Sequence, residues 1–187
     1  NCRMTSYRSN FISCDFDFGA PGKHYGSAHL DYSSDEGVSR IFPIPIVSIN
    51  NGDGPTALLT AGNHGNEDEG PLILRRLINE ISPGDIQGRL IALPALNYPA
   101  VRANTRTSPL DQGNLNRSFP ADEVTGPTEA IARFVVDALL PLANAGIDLH
   151  SGGASAKYVN TTFLCTCEDA EVFRGSFDLA KAFNAPY

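Results

Sequence analysis

Cysteine is scarce in this 187-residue chain. The four present, Cys2, Cys14, Cys165 and Cys167, are too few and too dispersed for a disulfide scaffold. In Cys165-Thr166-Cys167 the two thiols share one face of an extended run, yet two sulfurs alone do not make a structural zinc site. Reduced thiols are expected, and with them a cytoplasmic setting. Positive charge is also in short supply. Fourteen Lys and Arg stand against 21 Asp and Glu, and the net charge of −7 argues against nucleic acid as a partner, because phosphate binding needs clustered cations. No apolar run approaches the ~18 residues of a membrane span, and no basic segment followed by an apolar block marks a signal peptide at the N-terminus. A G-x-S-x-G elbow is missing, which makes Ser151 a poor serine nucleophile. A G-x-x-x-x-G-K-[ST] phosphate loop is missing as well. There are no internal repeats and no low-complexity segments.

What is present reads as an α/β protein. The apolar run Thr56–Ala61 has the character of a buried parallel strand. An amphipathic helix follows it, with Leu74, Leu77, Ile78 and Ile81 at helical spacing, Pro71 in the first turn and Pro83-Gly84 as the stop. Residues 89–96 form the next strand. Residues 127–143 form the clearest helix, with Ile131, Phe134, Val135, Ala138, Leu139 and Leu142 on one stripe. Strands are expected at 145–150 and 158–166, and a last helix at 170–183. Upstream, residues 25–32 and 40–50 read as extended segments. Pro43 and Pro45 suit the second to a sheet edge, and the turn at 50–55 would fold it back beside Thr56–Ala61. Residues 1–20 carry little periodicity and are expected to be partly disordered. Residues 1–34 are therefore read as an N-terminal extension with short extended segments, and residues 35–187 as the main domain. Neither Asn1 nor Tyr187 resembles a natural terminus, so a fragment lacking its C-terminal part is expected.

Alternating strands and helices predict a sheet with helices on both faces, and such sheets bind ligands beyond the carboxyl ends of their strands. His64 and His150 both fall at predicted strand carboxyl ends. Between Thr56–Ala61 and the next helix, His64 and Glu67 stand three apart in a Gly-rich turn, Gly62-Asn63-His64-Gly65-Asn66-Glu67. Catalytic zinc takes three His or carboxylate ligands and keeps one position for water, so His64, Glu67 and His150 are candidate ligands of one zinc ion. Asp148, two residues before His150, points to the same side of its strand and is placed to support the ligand geometry. The long polar segment 97–125 contains Asn114-Leu115-Asn116-Arg117-Ser118-Phe119-Pro120. Arg117, with Asn116 beside it, is a candidate grip for a substrate carboxylate. Arg106 is a second candidate, for a carboxylate or for a polarised carbonyl. Arg102, His24 and His29 read as surface residues. No general base stands out, since Glu168 and Glu171 sit at a helix start, where acids belong in any case.

The two motifs above and a third, Asp148-Leu149-His150-Ser151-Gly152-Gly153, in this order and at this spacing, resemble the succinylglutamate desuccinylase/aspartoacylase family, which is related to zinc carboxypeptidases. The resemblance implies a three-layer α/β/α zinc-carboxypeptidase-like domain with a mixed sheet. It also implies a deacylase that uses metal-activated water to release the acyl group from a small-molecule N-acyl amino acid. Carried over by position, His64, Glu67 and His150 match the zinc ligands, one Zn2+ per chain. Asn116 and Arg117 match the pair that binds the substrate carboxylate, and Arg106 matches an arginine that polarises the scissile carbonyl. The family's general-base glutamate is expected beyond Tyr187. Residues 93–101 and 148–153 look most like the N-acetyl-diaminobutyrate deacetylases of ectoine breakdown. The rival readings are a zinc carboxypeptidase and a non-catalytic zinc- or ligand-binding fragment. Assembly into a homo-oligomer is compatible with the sequence and not specified by it.

Overall fold

A computed structural model describes residues 6–33 and 39–186. The chain divides into two compact units, one through Ala154 and one from Ser155.

The first unit is built on a seven-stranded mixed sheet: β1 (Tyr7–Arg8), β2 (Ile12–Cys14), β3 (Gly22–Ser33), β4 (Ser39–Asn51), β5 (Thr56–Ala61), β6 (Gly88–Leu93) and β7 (Ala145–Leu149). Its spatial order is β1-β2-β3-β4-β6-β5-β7. The pairs from β1 to β6 along that order are antiparallel, whereas β5 runs parallel to both β6 and β7. Helix α1 (Glu69–Glu80) lies on one face, where Ile78, Leu77 and Ile81 pack with Val47, Ile49, Leu90 and Ala92. The short helix α2 (Tyr98–Ala103) follows β6. On the other face, α3 (Pro127–Phe134) brings Ile131 and Phe134 into the larger core with Ile12, Leu30, Ile44, Ile46 and Ile91. Helices on both faces of a mixed sheet give the expected three-layer α/β/α architecture.

Three expectations for the N-terminal half of the sheet change. Residues 7–33 are integral to the sheet, and Ile12, Cys14, Phe16 and Phe18 are all buried in its core. The alternation of these apolar residues with Ser13, Asp15 and Asp17 is a period-two signal hidden by its polar partners. Strand β4 is interior rather than at the edge, but β6 covers only its Val47–Asn51 half. Pro43 and Pro45 lie in the other half, where a missing N–H costs no ladder bond to β6. The turn after β4 also does not return the chain beside it. Strand β6 occupies that slot, and β5 pairs on its far side.

The helix expected at 127–143 is present as α3 followed by a π-helical turn, Val135–Leu139, and a 3-10 turn, Leu140–Leu142. In the second unit, α4 (Ala170–Phe183) forms as expected. The Asp169 carboxylate caps it by accepting from the backbone N–H groups of Glu171 and Val172, and Glu171 lies in its first turn. Residues 158–166 form no strand. A strand exists only by pairing, and Tyr158, Val159 and Phe163 remain exposed in a segment with no strand neighbour among the described residues. No helix of the described residues is long and apolar enough to cross a membrane.

Burial separates the described cysteines, while Cys2 lies outside the described residues. Cys14 lies in the core, and desolvation pushes its thiol from 9.0 up to about 11, whereas Cys165 and Cys167 are exposed. Iodoacetamide at pH 8 should alkylate Cys165 and Cys167 in the native protein and reach Cys14 only after denaturation, as read by peptide mass spectrometry. Equal labelling of Cys14 in the native state would contradict its burial. The raised pKa also sets a sign. The buried neutral thiol favours the fold fully below pH ~9, and that contribution is lost as pH rises through about 11.

Candidate metal centre

The two halves of the site arrive from neighbouring parallel strands. Strand β5 ends at Ala61, and Gly62, with φ of 73°, turns the chain so that His64 and Glu67 fall between β5 and α1. The adjacent β7 ends at Leu149, immediately before His150. Both lie beyond strand carboxyl ends, where open α/β sheets place their ligands.

His64, Glu67 and His150 converge, with one potential ligand atom from each lying within 4.8 Å of the others. The Glu67 carboxylate is 5% exposed and fully engaged. Its Oε1 lies 2.8 Å from His64 Nδ1 and accepts from Arg106 Nη1 at 3.4 Å. Its Oε2 lies 2.9 Å from His150 Nδ1 and accepts the backbone N–H of Ser151 at 3.0 Å. Burial of a carboxylate demands this density of partners, because an unpaired charge there would cost several kcal/mol. His64 is buried and His150 is partly exposed, so the centre opens on the His150 side.

Each imidazole is also held from behind. His64 Nε2 lies 3.2 Å from Asn114 Oδ1, and that oxygen also accepts the backbone N–H of Asn116. The second bond fixes which end of the Asn114 amide faces His64, so Nε2 must be the donor. His150 Nε2 lies 2.7 Å from Asp148 Oδ2. With both Nε2–H groups donating outward, both Nδ1 lone pairs face an anionic carboxylate. Lone pairs opposed to a carboxylate at 2.8–2.9 Å require a cation between them. A proton meets the requirement at His150, where the Asp148 hydrogen bond raises the pKa against the effect of burial and the charges of Asp148 and Glu67 raise it further. A metal ion could take the place of that proton, since two neutral imidazoles plus one carboxylate are a donor set that suits zinc.

Arg106 reaches the centre through Glu67. Asn116 and Arg117 occupy the short turn Leu115–Arg117, directly after Asn114, with exposed side chains. The structure thus ties their segment to His64 through Asn114, and the Arg117 guanidinium donates to the Asn116 carbonyl at 3.3 Å. The segment is anchored from its other side by Asp111. That carboxylate accepts from Gly113 N, Thr128 N and Thr128 Oγ1 at 3.0, 2.8 and 2.7 Å, and so caps α3, whose own N-cap residue is Gly126. Arg102, His24 and His29 are exposed, as expected. Sequence reasoning passed over Asn114 as the partner of His64 and over Ser151 N as a donor to Glu67. The first was within reach, since Asn114 opens the motif that holds Asn116 and Arg117. The second depends on a main-chain atom and has no signature in residue type.

Comparison with known proteins places the chain among relatives. Residues 53–187 match the family described as succinylglutamate desuccinylase/aspartoacylase catalytic domain. An N-alpha-acetyl-L-2,4-diaminobutyric acid deacetylase from Halomonas elongata is 43% identical over 180 residues, covering 96% of this chain and 53% of that protein. The crystal structure of a succinylglutamate desuccinylase/aspartoacylase from Rhodobacter sphaeroides superimposes with a TM-score of 0.88 at 36% identity, over 95% of this chain and 55% of that one. The product-bound structure of the ectoine utilization protein EutE (DoeB) from Ruegeria pomeroyi superimposes at 0.87 with 44% identity, over 96% of this chain and 55% of that one. The chain spans about half the length of the relatives it matches.

Proposed function

The chain belongs to the succinylglutamate desuccinylase/aspartoacylase family, and on that footing we propose that it is the metal-binding part of a zinc-dependent deacylase acting on an N-acyl amino acid. The observation that carries the proposal is the convergence of His64 Nδ1 and His150 Nδ1 on the Glu67 carboxylate, at 2.8 and 2.9 Å. His64, Glu67 and His150 are the proposed ligands. Zinc bound there supplies Lewis acidity and lowers the pKa of a water to about 7, which makes hydrolysis of an amide feasible at neutral pH.

The chain's own residues do the rest. Asn116 and Arg117 are the proposed grip on the substrate carboxylate, where a guanidinium fork gives both charge and direction. Arg106, already directed at the centre by its contact with Glu67, is the proposed donor to the developing charge on the scissile carbonyl oxygen. The substrate proposed is N-acetyl-diaminobutyrate, after the named activity of the Halomonas elongata relative and the ectoine utilization protein. A cytoplasmic setting belongs to the same reading.

Zinc-loaded protein should release acetate from N-acetyl-diaminobutyrate and leave blocked dipeptides intact. Cleavage of the dipeptides alone would replace the deacylase reading with a carboxypeptidase one. No turnover of either would leave a zinc-binding module. Arg106→Lys keeps the charge but loses the fork. It should lower kcat about 10²–10³-fold, the usual cost of one donor to a developing oxyanion, with zinc content unchanged. A change confined to KM would instead place Arg106 in ground-state binding.

A further inference from the structure

The parallel pairing of β5 with β7 places Thr60 and Asp148 in register, so their side chains leave the sheet on the same face. Thr60 Oγ1 donates to Asp148 Oδ1 at 2.7 Å. Asn63 Nδ2 donates to Asp148 Oδ2 at 3.1 Å, the same oxygen that faces His150 Nε2 at 2.7 Å. Both donors are buried. Asn63 is itself fixed, since its carbonyl accepts from Asn97 Nδ2 at 3.3 Å and the Asn97 side chain is wholly enclosed.

We infer that Thr60 and Asn63 are positioning residues, which lock the Asp148 carboxylate in the orientation that holds His150 with Nε2–H outward and Nδ1 toward Glu67. A free carboxylate has a broad, nearly two-fold torsion about its last bond. Asp148 and His150 stand at the open end of a strand and are both partly exposed, so packing alone does not fix either ring or carboxylate. The two hydrogen bonds from β5 and its following turn supply that restraint, and they carry it across the sheet from one half of the site to the other. The inference rests on the metal-site reading above. What it adds is that the affinity of the centre depends on a hydroxyl and an amide that would touch neither metal nor substrate.

Thr60→Val keeps shape and β-branching and removes only the donor. It should weaken zinc binding about 10- to 100-fold, as loss of a partner behind a ligand does. Competition against a chelator measures this on the full chain. Thr60→Ser should restore wild-type affinity, and the metal-free proteins should melt alike. The visible spectrum of the cobalt-substituted Thr60→Val protein should shift, which a change in stability alone would not produce. In an Asp148→Ala background Thr60→Val should cost nothing further, because the group it acts on is gone. Wild-type affinity and an unchanged cobalt spectrum in Thr60→Val, with binding lost in His150→Ala, would overturn the inference and leave the metal site standing. Equal losses in Thr60→Ser and Thr60→Val, matched by lower melting without metal, would reduce Thr60 to a structural residue. Failure of the wild-type chain to bind zinc would overturn both readings together.

Discussion

Glu67→Gln should cost zinc affinity at least ~100-fold, beyond the 10- to 100-fold range for losing a partner behind a ligand. The substitution preserves volume, and the fold should survive it, since an amide can donate to one of the two Nδ1 lone pairs that face position 67. What disappears is the negative charge that brings two histidines, Arg106 and Ser151 N to one point. Chelator competition and zinc content after dialysis report the loss. Circular dichroism of the metal-free protein shows whether the sheet is intact. Retention of stoichiometric zinc at wild-type affinity would mean that the carboxylate is not a ligand, and the proposed centre would fall with it.

Gly65→Ala should be the most damaging single methyl in the chain. A Cβ at position 65 would stand 2.0 Å from the carbonyl carbon of Ala100 and 2.1 Å from its oxygen. The neighbours are main-chain atoms of α2, so no rotamer change relieves the clash. Ordinary overpacking costs about 1–3 kcal/mol because side chains move aside; here the β5–α1 turn or α2 must shift, and the cost should exceed that range. His64 precedes Gly65, so zinc affinity should fall with stability. Gly84→Ala provides the control, for nothing lies within 4 Å of its would-be Cβ. Its effect on urea unfolding should stay within about 0.5 kcal/mol. Similar midpoints for the two variants would show that the turn and α2 do not pack as described.

The site was legible in the sequence to the extent that its chemistry is carried by residue type at fixed spacing. Two histidines and a glutamate at strand ends, with Gly62 and Gly65 flanking His64, mark candidate metal ligands before any fold is known. The sheet that joins them was legible only in outline. Alternation and helical periodicity located most elements, but they say nothing of neighbours. The turn after β4 contains all the residues of a reversal, yet the chain passes over the slot that β6 later fills. The run at 158–166 has strand composition and no strand to pair with among the described residues. The same limit hid Thr60, whose importance depends on which residue of β7 lies opposite it, and 88 positions of sequence separate it from Asp148. Ile12, Cys14, Phe16 and Phe18 are a different kind of miss, since their alternation was present in the sequence and was obscured by intervening polar residues.

The Asp111 anchor bears on where this connection tolerates changes of length. The segment between α2 and α3 is pinned where Asp111 meets Thr128 and where Asn114 meets His64. Only Gln112 and Gly113 separate the two pins, so that portion has a fixed length. Insertions or deletions can be absorbed beyond it, near residues 119–125, without displacing the proposed carboxylate grip, whereas residues 104–107 carry Arg106 and its contact with Glu67. Specificity can then diverge through that flanking loop while the residues nearest the proposed metal centre stay in place, a division of one connection into a rigid ruler and an adjustable spacer.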